Sequence, residues 1–212
     1  MFAALGRFKI IPILKIKEIE TDDALHVAEA LFKGGLPVME MTFRRHSDSK
    51  AIREIAREFP DFLIGAGGIL NRDQLLRAFD CKAKFATSPG VNPDTIKTAA
   101  KKKIAFAPGA STATDIENIL INGVVDFQFF PAEASGGVDY LESILEPFEH
   151  LPIDIFPKGG ISTQNAKDYL ELPQVCAVTV EDIIYNDDIE NGNWDRITEN
   201  ARRAVAQVHE LP

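Results

Sequence analysis

Asp154-Ile155-Phe156-Pro157-Lys158-Gly159-Gly160-Ile161-Ser162-Thr163 reads as a short strand, a glycine turn and the start of a helix. β-Branched and aromatic residues suit the extended part, and the glycine pair marks where the backbone must turn. The same grammar recurs along the chain. Strands are predicted over residues 10–16, 38–42, 63–67, 85–88, 104–108, 125–130, 154–158 and 175–180. Between them lie amphipathic helical stretches. Ala24, Leu25, Ala28, Leu31 and Phe32 share one helical face, and Ile52, Ile55, Ala56 and Phe59 share another. Asn71 followed by Gln74 imitates a capping box, while Ser47 and Thr163 stand where N-caps are expected.

About eight strand-helix units predict an α/β protein, a (β/α)8 TIM barrel forming a single domain over residues 1–212. An open doubly wound sheet is the alternative. No long Gly, Pro or Ser linker divides the chain. In a barrel, Glu40, Arg44, Gly65, Gly67, Ser88, Pro108, Gly109, Gln128, Lys158 and Gly159 fall within or just after strands, the end at which such folds build their sites.

Bulk composition narrows the function. With 45% hydrophobic residues the chain can bury a full core. A net charge of −9 argues against a nucleic-acid partner, which demands a basic face. The apolar stretch from Ile10 to Leu14 is far too short for a membrane span or a signal segment, so a cytoplasmic protein without a membrane partner is expected. Cys81 and Cys176 read as reduced thiols without a chemical role. His26, His46, His150 and His209 show no metal-ligand spacing. Lys101, Lys102 and Lys103 close a predicted helix, where cations complement its carbonyl end.

Three residues stand out chemically. Glu40 lies in the apolar run Val38-Met39-Glu40-Met41-Thr42, where a carboxylate is either paired structurally or placed for proton transfer in a polar barrel mouth. Arg44 follows at the open end of that strand, where its guanidinium matches a carboxylate. Lys158 shares strand parity with Asp154 and Phe156. Its stem either lines the mouth while the ammonium reaches water, or its amine is desolvated and becomes an imine-forming nucleophile. Gly159 and Gly160 either serve the turn alone or present amides to an anion.

The chain resembles the 2-keto-3-deoxy-6-phosphogluconate and 4-hydroxy-2-oxoglutarate aldolases. The likeness rests on an ordered set spanning nearly the whole sequence: Val38 to Arg44, Gly65-Ala66-Gly67, Thr87-Ser88-Pro89-Gly90, Pro108-Gly109 with Ser111-Thr112, Phe129-Phe130-Pro131-Ala132-Glu133 with Gly136-Gly137, and Gly159-Gly160-Ile161-Ser162. The resemblance implies small homotrimeric barrels that cleave a 2-keto acid through a lysine imine, without metal or organic cofactor. It implies a catalytic role for Glu40 and substrate contacts at Arg44, Gly68, Pro89, Gln128, Phe130, Gly159, Gly160 and Glu181.

The sequence departs from the family pattern at four places. The imine lysine matches Gln128, and the threonine before the glycine pair is Lys158, so the amine has moved by one strand. The phosphate seat matches Thr179-Val180-Glu181, and Gly68 replaces a threonine. The expectation is a class I aldolase with Lys158 as a relocated imine lysine. The alternatives are a catalytically silent keto-acid-binding barrel and a different phosphate-binding barrel enzyme.

Overall fold

The computed structural model describes residues 2–15 and 19–209. The last residue of the strand expected over 10–16, Ile16, lies outside them. Nine short strands are present among the described residues: β1 Ile10–Leu14, β2 Val38–Thr42, β3 Leu63–Gly67, β4 Phe85–Thr87, β5 Phe106–Ala107, β6 Gly109–Ala110, β7 Asp126–Phe129, β8 Asp154–Ile155 and β9 Val178–Val180. Six form a parallel sheet ordered β5-β4-β3-β2-β1-β9, and three form a second parallel sheet ordered β6-β7-β8. Isolated parallel bridges from Ile155 to Val175 and from Lys158 to Thr179 join the end of the second sheet to the segment carrying β9.

Proline chemistry explains where the regular strands break. The strand expected over 104–108 is regular only at Phe106–Ala107, and a separate dipeptide strand, Gly109–Ala110, follows Pro108, which has no N–H for a ladder but whose carbonyl accepts from the Gln128 N–H at 2.9 Å. The strand expected over 154–158 is regular only as far as Ile155, before Pro157. In β1 all five residues are buried, which matches its uninterrupted apolar sequence and a parallel sheet covered on both faces.

Helices alternate with the strands. They are α1 Phe2–Gly6, α2 Thr21–Lys33, α3 His46–Glu58, α4 Arg72–Asp80, α5 Pro93–Lys102, α6 Ala113–Ile121, α7 Gly137–Leu145, α8 Ala166–Leu170, α9 Asn186–Glu190 and α10 Trp194–His209. The inner stripe of α2 is Ala24, Val27, Ala28, Ala30 and Leu31. Phe32, expected on that face, is instead largely exposed and stacks near Phe59 on the outside. Apolar side chains from both sheets, among them Ile64, Phe85, Phe127, Ile155 and Val178, form one contiguous buried cluster. No helix among the described residues is long and apolar enough to cross a membrane.

Two expected caps are displaced. Ser47 lies inside α3, whose N-terminus is held by Asp48: its carboxylate accepts the N–H groups of Arg44 and Arg45 at 2.7 and 2.6 Å. A carboxylate at this position satisfies two otherwise orphaned donors. Thr163 precedes α8 and bonds Asp182 through its N–H and hydroxyl. Asn71 does cap α4 by accepting the Gln74 N–H, but the Gln74 side chain turns to the N–H of Leu70.

Candidate active site

Glu40 sits at the centre of β2, in register with Ile13 of β1 and Gly65 of β3. It is 1% exposed, so its charge must be met within the fold. Oε2 accepts from the Thr87 hydroxyl at the end of β4, 3.0 Å away, and Oε1 accepts from Lys158 Nζ. Gly67 makes this approach possible, because a Cβ there would collide with the Glu40 carboxylate. The carboxylate therefore spans three strands and fixes the amine on a fourth segment.

Lys158 is 7% exposed. Its peptide is gripped on both sides: its N–H donates to Phe129 O at 2.9 Å, and its carbonyl accepts the Ala132 N–H at 2.8 Å. The turn carrying Ala132 is itself anchored by Tyr169, whose hydroxyl donates to Glu133. Backbone pairing thus directs the lysine stem inward rather than toward water. Gln128, on β7, is buried and donates through Nε2 to the Ser88 carbonyl.

These groups open onto a cavity of about 560 Å³ at the carboxyl ends of the strands. Lys158, Gln128, Phe130, Pro89, Gly68 and Arg44 line it, together with Arg45, Asp48 and Lys15. Arg44 lies two residues beyond the end of β2 and is exposed, with no ion pair among the described residues. An amine touching a carboxylate, below an open guanidinium, can hold an anionic carbonyl compound and exchange protons with it. Among the described residues no three His, Cys, Asp or Glu side chains gather as a metal site.

Comparison with known proteins decides the family. A family model, KDPG and KHG aldolase, matches residues 2–200. The chain belongs to the KDPG and KHG aldolase family. It is 39% identical over 196 residues to the KHG/KDPG aldolase of Escherichia coli K12, covering 92% of this chain and 90% of that one. It is 41% identical over 197 residues to the 2-dehydro-3-deoxy-phosphogluconate aldolase of Dickeya dadantii, covering 93% and 91%. Among solved structures it superposes with TM-score 0.88 and 36% identity on the KDPG aldolase of Legionella pneumophila, covering 95% and 97% of the two chains. In that protein pyruvate is captured at low pH as a covalent carbinolamine.

Within this KDPG and KHG aldolase family member, the expected site residues divide. Lys158, Arg44, Gly68, Pro89, Gln128 and Phe130 share the main cavity, with Glu40 directly beneath. Gly159 and Gly160 do not line it, and Glu181 faces an adjoining cavity of about 400 Å³. The Gly160 N–H, expected to be open to a ligand, is donated to Glu181 Oε1 at 3.4 Å. The same oxygen accepts from Lys15 Nζ. Sequence reasoning missed Lys15 and Thr87. Both stand at the carboxyl end of a strand, β1 and β4, which is the positional signal that identifies them.

The two cysteines are free. Burial and the neighbouring Asp154 carboxylate push the Cys176 thiol up to about 12, so it stays protonated and is a poor nucleophile.

Proposed function

We propose that the chain is a class I aldolase that cleaves a 2-keto-4-hydroxy acid into pyruvate and an aldehyde, with Lys158 as its imine lysine. The observation that carries this reading is the contact of Lys158 Nζ with Glu40 Oε1 at the base of the main cavity. Family membership supplies the reaction class. The strand carrying Gln128 has an amide where imine chemistry needs an amine, and Lys158 is the buried lysine beside it.

The steps follow from these groups. Arg44 holds the substrate carboxylate, and C2 lies against Lys158. Glu40 accepts a proton from the ammonium, and the neutral amine adds to C2 to give a carbinolamine. Glu40 returns that proton to the departing hydroxyl, and water leaves an iminium. The carboxylate, directly or through water, then removes the proton of the C4 hydroxyl. The C3–C4 bond breaks, its electron pair flows into the iminium to form an enamine, and the aldehyde departs. Protonation at C3 and hydrolysis release pyruvate and restore the amine.

The fold is read as one (β/α)8 domain over residues 1–212. The sheets are two arcs of one barrel, interrupted at Pro108 and rejoined by the bridges at Val175 and Thr179, an arrangement that supports closure. A homotrimer is inferred from the family resemblance, and sedimentation velocity tests it.

The chemistry is tested by incubating the protein with pyruvate and borohydride and mapping the adduct by mass spectrometry. A single reduced adduct on Lys158 is expected. No adduct, or one on another lysine, overturns the assignment. The silent-barrel reading is tested by Lys158→Ala: pyruvate-dependent exchange present in the parent and lost in the variant excludes it.

A further inference from the structure

Glu181 immediately follows β9, and its side chain is 30% exposed. Its Oε1 is the meeting point of an ammonium, from Lys15 at the end of β1, and a backbone N–H, from Gly160. Gly160 has φ +79°, a conformation that L side chains rarely adopt, and a Cβ there would press on Glu133 at 2.8 Å. The turn is thus committed to glycine, which leaves its amide unshielded. A cation and an unshielded amide aimed at one oxygen form the minimal chemistry of an anion seat. Here the chain's own carboxylate fills it.

Position gives the seat its meaning. Lys15 and Ile13 line both the main cavity and the adjoining one, so the Lys15–Glu181 pair forms part of the partition between them. A substrate with its C2 at Lys158 and a long aldehyde half extending past β1 meets that partition. The adjoining cavity also carries Asp187, while its arginine, Arg196, is engaged with Asp188 at 3.3 Å. A distal phosphate arriving there must displace Glu181 and then lie beside two carboxylates, an arrangement opposed by like-charge repulsion. A distal hydroxyl can instead donate to the Glu181 oxygen left unused by Lys15 and Gly160.

We infer that Glu181 is a specificity-determining residue that occupies this anion seat itself and selects an uncharged, hydroxylated aldehyde half over a phosphorylated one. The substrate part of the inference rests on the aldolase reading; the occupied seat does not.

Inorganic phosphate tests the seat without any imine chemistry. By titration calorimetry, Glu181→Ser is expected to bind phosphate at least tenfold more tightly than the parent, and the gain is expected to vanish in the E181S/K15A double variant. Glu181→Gln, which keeps the packing and removes the charge, is expected to gain in the same direction. Unchanged phosphate affinity in both single variants overturns the inference, as does a gain that survives loss of Lys15. The substrate class is read from kcat/KM for a matched pair of phosphorylated and unphosphorylated 4-hydroxy-2-keto acids. The parent is expected to prefer the unphosphorylated member, and E181S to shift that ratio at least tenfold toward the phosphorylated one. Preference of the parent for the phosphorylated member overturns the selectivity. A gain of phosphate affinity in E181S without any pyruvate adduct on Lys158 supports the seat and sinks only the assignment of Lys158 as the imine lysine.

Discussion

Lys158 Nζ donates to Glu40 Oε1, joining a residue beyond the end of β8 to the centre of β2 across 118 positions of sequence. Both side chains are nearly solvent-free. Such a pair gains little net stability over a well-packed apolar one, because desolvation offsets the attraction, yet breaking it leaves one charge stranded. Its position at the base of the main cavity is the one that the proposed proton exchange requires.

That asymmetry makes a prediction. Lys158→Met should abolish adduct formation and destabilise the fold by about 3–5 kcal/mol, the usual consequence of stranding a buried charge. Glu40→Gln combined with Lys158→Met should recover most of that loss while remaining inactive. Urea unfolding of the two single variants and the double variant checks it, and additive losses would show that the two residues are not coupled.

The proposed relocation of the amine can be tested by reversing it. β7 and β8 are parallel neighbours about 5 Å apart, a distance comparable to a lysine stem. Lys158→Thr should show no pyruvate adduct, and adding Gln128→Lys should restore one, mapped to residue 128. Gln128→Lys in the parent places two ammonium groups around the single Glu40 carboxylate and should lower stability by about 1–2 kcal/mol, within the range of a large single-site effect.

Much of this site is legible from the chain because the decisive residues violate their surroundings. Glu40 is a carboxylate in an apolar strand, and Lys158 interrupts a strand just before two glycines. Arg44 follows from its place at a strand end. The Lys15–Glu181 contact is hidden because it joins positions 166 residues apart at the ends of β1 and β9, and nothing local in either segment requires the other. The cap of α3 was misplaced for a related reason: Asp48 reaches back to two amides, so a side chain inside the helix does the work expected of Ser47 before it. At Pro108 the strand pattern continues, but the missing N–H divides it.

Gly67 should be intolerant of the smallest change. A Cβ at this position falls within the volume of the Glu40 carboxylate, while Thr87 and Lys158 hold that carboxylate from two other sides. Gly67→Ala is expected to displace Glu40 by about 1 Å and lower kcat roughly a hundredfold, with a stability loss of about 1–3 kcal/mol from overpacking. Single-turnover measurement of adduct formation separates the two effects: a folded variant with an unchanged rate would show that the carboxylate position does not matter.

At the opposite end of the strands, Asp126 of β7 and Asp154 of β8 stand in register. Like charges directly opposed on neighbouring strands are destabilising. Burial, followed by the Asp154 charge, raises the Asp126 carboxyl above its ordinary value. The folded state therefore holds this proton more tightly than the unfolded chain does. Its contribution is most favourable at pH below the unfolded value, near 3.9, and is lost as pH rises through the raised folded value. Asp126→Asn should consequently raise Tm at pH 7, by about 2 °C, the shift expected from somewhat under 1 kcal/mol in a chain of this size. Partial exposure of the pair keeps that figure small. The difference should shrink as the pH is lowered from 7 toward 4, because the folded state takes up this proton at a higher pH than the unfolded chain does. Thermal unfolding at both pH values checks the sign: an equal gain at pH 7 and pH 4 would assign the effect to packing rather than to charge.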